Sequence, residues 1–423
     1  MPIVALPTLH PGQVAAYKQR TRFNVIRCGR RWGKTDMAIT LSGDACTKGR
    51  NVGWFTPDYK IQSEAYRDLH AIIDPVVKSS SKNDGVIHTI TSGRVDFWTL
   101  ENERAGRSRK YHRVIIDEAA FTKDNMMEIW ERSIEPTLLD FNGDVWVLST
   151  PNGISEENFF WRVCNDPKMG FTEYYAPTSQ NPYMSAAAIE ELRQKREPRV
   201  FAQEYEAKFV DWSGAAFFSA EKMLVNGQGV PWPDKCDTVY AVIDTALKTG
   251  TENDGTAVTY FALNTLWGIP LTVLDWDIVQ IEGGSLEEWL PSVHERLNYL
   301  ADVCKARHGP TGMHIEDKNS GTVLLQKGLA RNWPVHPIDS KLTAMGKDGR
   351  ALNISDHVYQ GKVKISAYAY DKITTYKGMA RNHFISQVCG YKLADKEAAK
   401  RADDLADTFT CGVAIGLGNS EGS

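Results

Sequence analysis

At 423 residues the chain is longer than one common domain, so two are expected. Its hydrophobic share of 42% and charged share of 24% are ordinary for a globular protein, and seven scattered cysteines without CxxC spacing exclude a disulfide frame or a zinc site. No apolar run approaches the roughly 18 residues of a membrane span and no signal-peptide pattern opens the chain, so a cytoplasmic protein is expected, while the net charge of −4 gives no global sign of nucleic-acid binding.

In chain order, the first polar feature is His10-Pro11-Gly12-Gln13, whose Gln13 amide could read an adenine. An apolar run, Phe23 to Ile26, then leads through Arg27-Cys28-Gly29-Arg30-Arg31-Trp32-Gly33-Lys34-Thr35 into the helix-forming Met37-Ala38-Ile39. This is the strand–loop–helix context of a phosphate-binding loop. A Gly-Lys-Thr opening a helix surrounds one anionic site with backbone N–H groups, the positive helix end and a lysine. Lys34 would reach the β/γ-phosphates of ATP and Thr35 would hold Mg²⁺. The strict motif wants glycine where Cys28 stands, and Gly29 comes one place late.

Val52–Thr56 and Val95–Thr99 read as further short strands, with helical stretches near 61–73 and 121–133. His112–Ile116 reads as a buried strand delivering Asp117 and Glu118 at its end, where ligands bind in open α/β sheets. Alone, Asp-Glu at a strand end is a common solvated turn; downstream of Gly-Lys-Thr it reads as the Mg²⁺-ordering aspartate and the water-polarising glutamate of an ATPase. Val145–Leu148 ends in Ser149-Thr150-Pro151-Asn152-Gly153, a good turn whose Thr150 could sense the γ-phosphate. The alternation of strands and helices predicts a mostly parallel sheet flanked by helices.

Residues 211–235 are irregular and read as a linker between a domain at 1–210 and one at 236–423. The second domain opens with strand 238–243 ending in Asp244. A polar turn with Asp254-Gly255 leads to strand 256–262, and 271–275 follows in a meander. Gly312–Ile315 leads into Glu316-Asp317, and Asp403, Asp404 and Asp407 open a late apolar helix on which Asp404 and Asp407 share one face. Each acid alone is an ordinary strand-end or capping residue. Together, carboxylates at the ends of separate strands and on a helix are what a phosphodiesterase using two Mg²⁺ or Mn²⁺ ions needs.

Gln13, the Arg-Arg-Trp-Gly-Lys-Thr loop and the arginine-rich segment before Val-Ile-Ile-Asp-Glu-Ala-Ala-Phe carry a resemblance, with Leu-Ser-Thr-Pro-Asn-Gly and Phe201–Asp211. The chain resembles, from Gln13 to about Leu417, the large terminase subunit of tailed phages, a DNA-packaging motor and nuclease. The resemblance implies a P-loop NTPase domain with a mostly parallel sheet, followed by an RNase H-like α/β nuclease domain. It implies an ATP site of Gln13, Gly29, Arg30, Arg31, Trp32, Gly33, Lys34, Thr35, Asp117 and Thr150, with Mg²⁺ at Thr35 and Asp117. Glu118 and Arg30 or Arg31 would act in hydrolysis, with Arg104 or Arg107 as further candidates. In the nuclease, Asp244, Glu316 and Asp404 match the family acids; Asp317, Asp403 and Asp407 are close competitors for metal and Asp254 an auxiliary. Lys347 and Arg350 would contact the DNA backbone.

The implied partners are double-stranded DNA, a portal protein and a small terminase subunit, with the chain as a pentamer on the portal in the host cytoplasm, and no membrane. The competing readings are a helicase–nuclease of recombination or repair, for which 150–240 leaves no room for a second motor lobe, and an assembly module with inactive sites.

Overall fold

The computed structural model describes residues 3–212, 216–245, 255–266, 268–280, 286–317, 320–393 and 402–418. The chain forms two compact units: the residues up to Gln194 with Pro198–Asp211, and Lys195–Glu197 with the residues from Trp212 onward.

The first unit is built on an eight-stranded sheet. Its strands are β1 (Phe23–Cys28), β2 (Asn51–Thr56), β3 (Val77–Ser81), β4 (Val86–Thr89), β5 (Arg94–Thr99), β6 (Arg113–Asp117), β7 (Asp144–Ser149) and β8 (Thr172–Ala176). They lie in the order β3-β4-β5-β2-β6-β7-β1-β8. From β5 to β8 every pairing is parallel, and only β3 and β4 add antiparallel neighbours. The central strands are apolar on both faces, as a sheet covered by helices on both sides requires; every residue of β6 is buried. Helix α1 (Pro11–Lys18) precedes β1, α2 (Lys34–Thr47) follows it, and α3 (Tyr59–Ile73) follows β2, where Asp58 caps it by accepting from Ile61 N at 3.0 Å. Because β1, β7 and β6 are adjacent and parallel, Cys28, Ser149 and Asp117 finish on one edge.

The stretch 121–133 departs from the expected helix. A tight turn at Ala119–Phe121, one α-turn at Met126–Ile129, a wide turn at Trp130–Ile134 and another tight turn at Glu135–Leu138 replace it. Glu118 in the left-handed region (φ 52°) and Thr122 in an extended conformation interrupt any helix after β6, and Pro136 removes a backbone donor.

The second unit carries a six-stranded sheet of β9 (Thr238–Asp244), β10 (Thr256–Leu263), β11 (Leu271–Val279), β12 (Pro310–Ile315), β13 (Val335–Pro337) and β14 (Val363–Ile365), in the order β13-β12-β9-β10-β11-β14. β9, β10 and β11 form an antiparallel meander, while β12 runs parallel to β9 and β13 parallel to β12. This is the RNase H-like strand order. A small hairpin, β15 (Thr374–Tyr376) with β16 (Met379–Arg381), lies outside the sheet. The helix Leu286–Val303 buries Leu290, Val293, Leu297 and Leu300 in one core with β9 and β12. The apolar helix Asp404–Leu417 is held on β9 and β10 by Tyr240 Oη, which donates to Gly412 O at 2.7 Å, and by Thr259 and Thr408, whose hydroxyls meet at 2.7 Å. Both contacts fix where that helix begins, and its first turn carries the acids.

Candidate active sites

In the first unit the loop between β1 and α2 closes around Lys34. The Lys34 ammonium stands 2.9 Å from a Glu118 carboxylate oxygen. Burial alone would lower the lysine pKa, but the Glu118 charge, with help from Cys28 and Asp117, holds it above its ordinary value. Asp117, fully enclosed, is pushed up to about 7, first by burial and then by the like charge of Glu118. Ser149 Oγ, at the end of β7, accepts from Ala120 N at 3.1 Å and lies 3.4 Å from a Glu118 oxygen, with Thr150 O the nearer acceptor for its proton at 2.9 Å.

Several sequence-named residues take definite places here. Thr35 is exposed in the first turn of α2. Thr150 is buried with its hydroxyl lacking a hydrogen-bond partner among the described residues. Gln13 is buried, and its amide is spent on the loop: Nε2 donates to Gly33 O at 2.7 Å and Oε1 accepts from His10 N at 2.9 Å. Trp32 turns its ring into the core, edge-on to His10 at 5.1 Å, so only its backbone faces the loop. Arg30 pairs with Glu204 at 2.5 Å on the outer flank. Arg31 is exposed, with φ at 62°, and forms no ion pair among the described residues. Arg113, the last of the basic segment, is structural: it forms a two-pronged pair with Asp144 at 2.6 and 2.7 Å. Arg104 and Arg107 line a polar cavity with Glu103, Asn125, Arg132 and Ser133.

Sequence reasoning missed Thr178, Asn181 and Glu204, which converge on the loop from late in the unit. Thr178 Oγ1 donates to Arg30 O and Asn181 Nδ2 to Arg31 O, both at 2.6 Å. Nothing local in the sequence marks Thr178 or Asn181, while Glu204 lies in the stretch Phe201–Asp211 that carries part of the resemblance.

In the second unit Asp244 ends β9, and Glu316 directly follows β12, the parallel neighbour in which Ile315 pairs with Ile243. Asp404 is buried in the first turn of the helix Asp404–Leu417 and accepts from Gly255 N at 3.1 Å, just before β10. Asp244 is raised well above the usual carboxylate range, by burial first and then by the charges of Asp407, Asp404 and Glu316. Asp317 points elsewhere: it is exposed and accepts from Thr322 Oγ1 at 2.7 Å. Asp254 lies outside the described residues.

The cations sit differently from the expected DNA contacts. Arg350 is buried and pairs with Asp407 at 2.5 Å; Lys347, half-exposed, reaches Asp403 at 2.6 Å and Asp407 at 2.9 Å. A dense group of partly buried acids demands nearby positive charge, and these two supply part of it. Among the described residues no three His, Cys, Asp or Glu side chains form a group arranged to hold an ion. The donor set nevertheless fits a divalent cation in kind: hard oxygens on rigid strand and helix ends, with like charges pressing on a buried Asp244.

No protein-family model and no curated protein matches the chain. Among solved structures, the large terminase of a thermophilic bacteriophage is similar in fold. It aligns over 97% of this chain and 99% of its own, with a TM-score of 0.66 and 12% identity. The same phage's large terminase in complex with ATP-γ-S covers 96% of this chain and 98% of its own, with a TM-score of 0.62 at 11% identity. Its ADP complex covers 96% and 99%, with a TM-score of 0.63 at 12% identity. Both units are mixed α/β, and the chain has the large-terminase fold. No helix among the described residues is long and apolar enough to cross a membrane.

Proposed function

We propose that the chain is a large terminase subunit, which hydrolyses ATP to drive double-stranded DNA into procapsids and cuts concatemeric DNA with a metal-dependent nuclease. The observation that carries the reading is one chain with a lysine–glutamate–aspartate site at a phosphate loop, and a separate acid cluster on an RNase H-like sheet. In the first site Lys34 leaves Glu118 for the β/γ-phosphates, which frees Glu118 to polarise the attacking water. Thr35 and Asp117 would hold the Mg²⁺ that neutralises phosphate charge. Of the two loop arginines, Arg31, which forms no ion pair among the described residues, is favoured over the Glu204-bound Arg30 for the γ-phosphate.

In the second site Asp244, Glu316 and Asp404 would hold two Mg²⁺ or Mn²⁺ ions, which supply a hydroxide and stabilise the leaving 3′-oxygen. Lys347 and Arg350 partly neutralise the acids, and the half-exposed Lys347 remains able to meet a DNA phosphate. A portal protein, a small terminase subunit and a pentameric ring in the host cytoplasm are the partners and setting that this reading entails.

The test is a pair of assays on purified full-length protein. Plasmid cleavage with Mn²⁺ is expected in the wild type and lost in Asp244→Ala; equal nicking by both sinks the nuclease assignment. ATP hydrolysis is expected to vanish in Lys34→Ala while cleavage persists.

A further inference from the structure

Four consecutive carbonyls of the phosphate loop are each held from outside by a different side chain. Thr178 Oγ1 donates to Arg30 O and Asn181 Nδ2 to Arg31 O, both at 2.6 Å. His10 Nε2 reaches Trp32 O at 2.8 Å, and Gln13 Nε2 donates to Gly33 O at 2.7 Å. The His10 tautomer follows from its other contacts. Nδ1 accepts from Gly12 N at 3.1 Å and Gln13 N at 3.4 Å, so the proton sits on Nε2 and that atom donates. His10, Gln13 and Thr178 are themselves buried, so each donor is committed to its carbonyl.

In a trans peptide the N–H points opposite the C=O, and the chain has no cis bonds among its described residues. Drawing the carbonyls of Arg30, Trp32 and Gly33 outward therefore turns the N–H groups of Arg31, Gly33 and Lys34 inward. Those three find no acceptor among the described residues. Arg31 at φ 62° and Gly33 at φ 96° give the loop the left-handed turns of an anion-binding concavity. Both loop glycines are cut to the belt. A Cβ at Gly29 would lie 2.5 Å from Thr178 Oγ1, and one at Gly33 2.7 Å from Gln13 Nε2.

We propose that His10, Gln13, Thr178 and Asn181 are positioning residues that preset the phosphate loop, fixing its N–H groups on the β-phosphate of a bound nucleotide. They touch the loop and not the nucleotide; for Gln13 this replaces adenine reading. The inference rests on the ATPase reading of the same site. It adds that the loop is held in its binding shape before nucleotide arrives, so no ordering cost falls on binding.

The experiment measures competition of ADP and AMP against a fluorescent ADP analogue, on full-length wild type, Lys34→Ala, Thr178→Ser, and the double variant Thr178→Val with Asn181→Ala. AMP lacks the β-phosphate, so it reports the rest of the site. The double variant is expected to lose about tenfold in ADP affinity, with AMP affinity near wild type and a melting temperature lowered by only a few degrees, since the two bonds also hold the free protein. Thr178→Ser, which keeps the hydroxyl, is expected to bind both as wild type does. Unchanged ADP affinity in the double variant, with Lys34→Ala still defective, overturns the belt and leaves the ATPase reading standing. Equal loss of ADP and AMP, or no rescue by serine, marks an ordinary packing defect and also overturns it. If wild type binds no ADP, both readings fall.

Discussion

Cys28 stands where the strict phosphate-loop motif has glycine, and its surroundings explain why it is tolerated. It is the last residue of β1, wholly buried, with Sγ 3.7 Å from Ser149 O, and burial pushes its thiol up to about 12, far from any reactive thiolate. The need for glycine has moved to Gly29, where a Cβ would come 2.4 Å from Tyr205 O and 2.5 Å from Thr178 Oγ1. Gly29→Ala is accordingly expected to weaken ADP binding at least tenfold and to lower the melting temperature, by overpacking that typically costs about 1–3 kcal/mol. Wild-type ADP affinity in that variant would show the loop to be more pliable than its contacts indicate.

Glu118 is the second residue where local geometry makes a commitment. A non-glycine residue at φ 52° carries strain of roughly 1–3 kcal/mol, and strain of this kind persists where the surroundings hold it for function. Glu118→Gln keeps the shape and removes the carboxylate that the proposed hydrolysis relies on. Nucleotide binding is expected to survive while the hydrolysis rate falls by about 100-fold or more, measured as phosphate release at saturating ATP. Among the acids of the proposed nuclease site, Asp404 and Asp403 separate by surroundings: Asp404 is buried at Gly255 N, whereas Asp403 holds Lys347. Asp404→Asn is expected to abolish Mn²⁺-dependent cleavage, and Asp403→Asn to reduce it only about tenfold, as for residues that orient a site from behind. The reverse order would move the metal-binding role to Asp403.

At the scale of elements, legibility followed burial. β1, β2, β5, β6, β7 and β9–β12 showed in the sequence because strands buried in a sheet leave apolar runs, and the runs of β1, β6, β7, β9 and β12 lead into residues of the two proposed sites. β3, with Val77 followed by Lys78-Ser79-Ser80-Ser81, and β8, largely exposed, lie at opposite edges of the first sheet; solvated edge strands leave no such pattern. The belt around the phosphate loop was illegible for a different reason. His10, Thr178 and Asn181 are single polar residues separated by most of the unit, and only the folded chain brings them together. Arg113 was legible as a charge but not as a structural one. It joins the starts of β6 and β7 through Asp144 and donates to Leu41 O of α2 at 3.0 Å. Arg113→Ala leaves Asp144 without its partner and is expected to destabilise the first unit by about 3 kcal/mol in denaturant unfolding.

For the whole molecule, the two sites occupy separate compact units, so ligands of one should stabilise that unit without the other's residues. In the second unit the acids repel one another around the buried Asp244, and a divalent cation relieves that repulsion in the folded state alone. A cation at about 100 times its dissociation constant would add roughly 2.7 kcal/mol to that unit. Mn²⁺ is therefore expected to raise one thermal transition of the wild type by several degrees, and EDTA to reverse the rise. Asp244→Ala should lose the Mn²⁺ response, and it should start from a higher melting temperature in EDTA, because the cost of enclosing that carboxyl among like charges is gone. Lys34→Ala should keep the Mn²⁺ response and lose the one to ATP-γ-S. A Mn²⁺ shift of equal size in wild type and Asp244→Ala would mean that the ion binds away from the acid cluster, and the nuclease would then have to be sought on other residues.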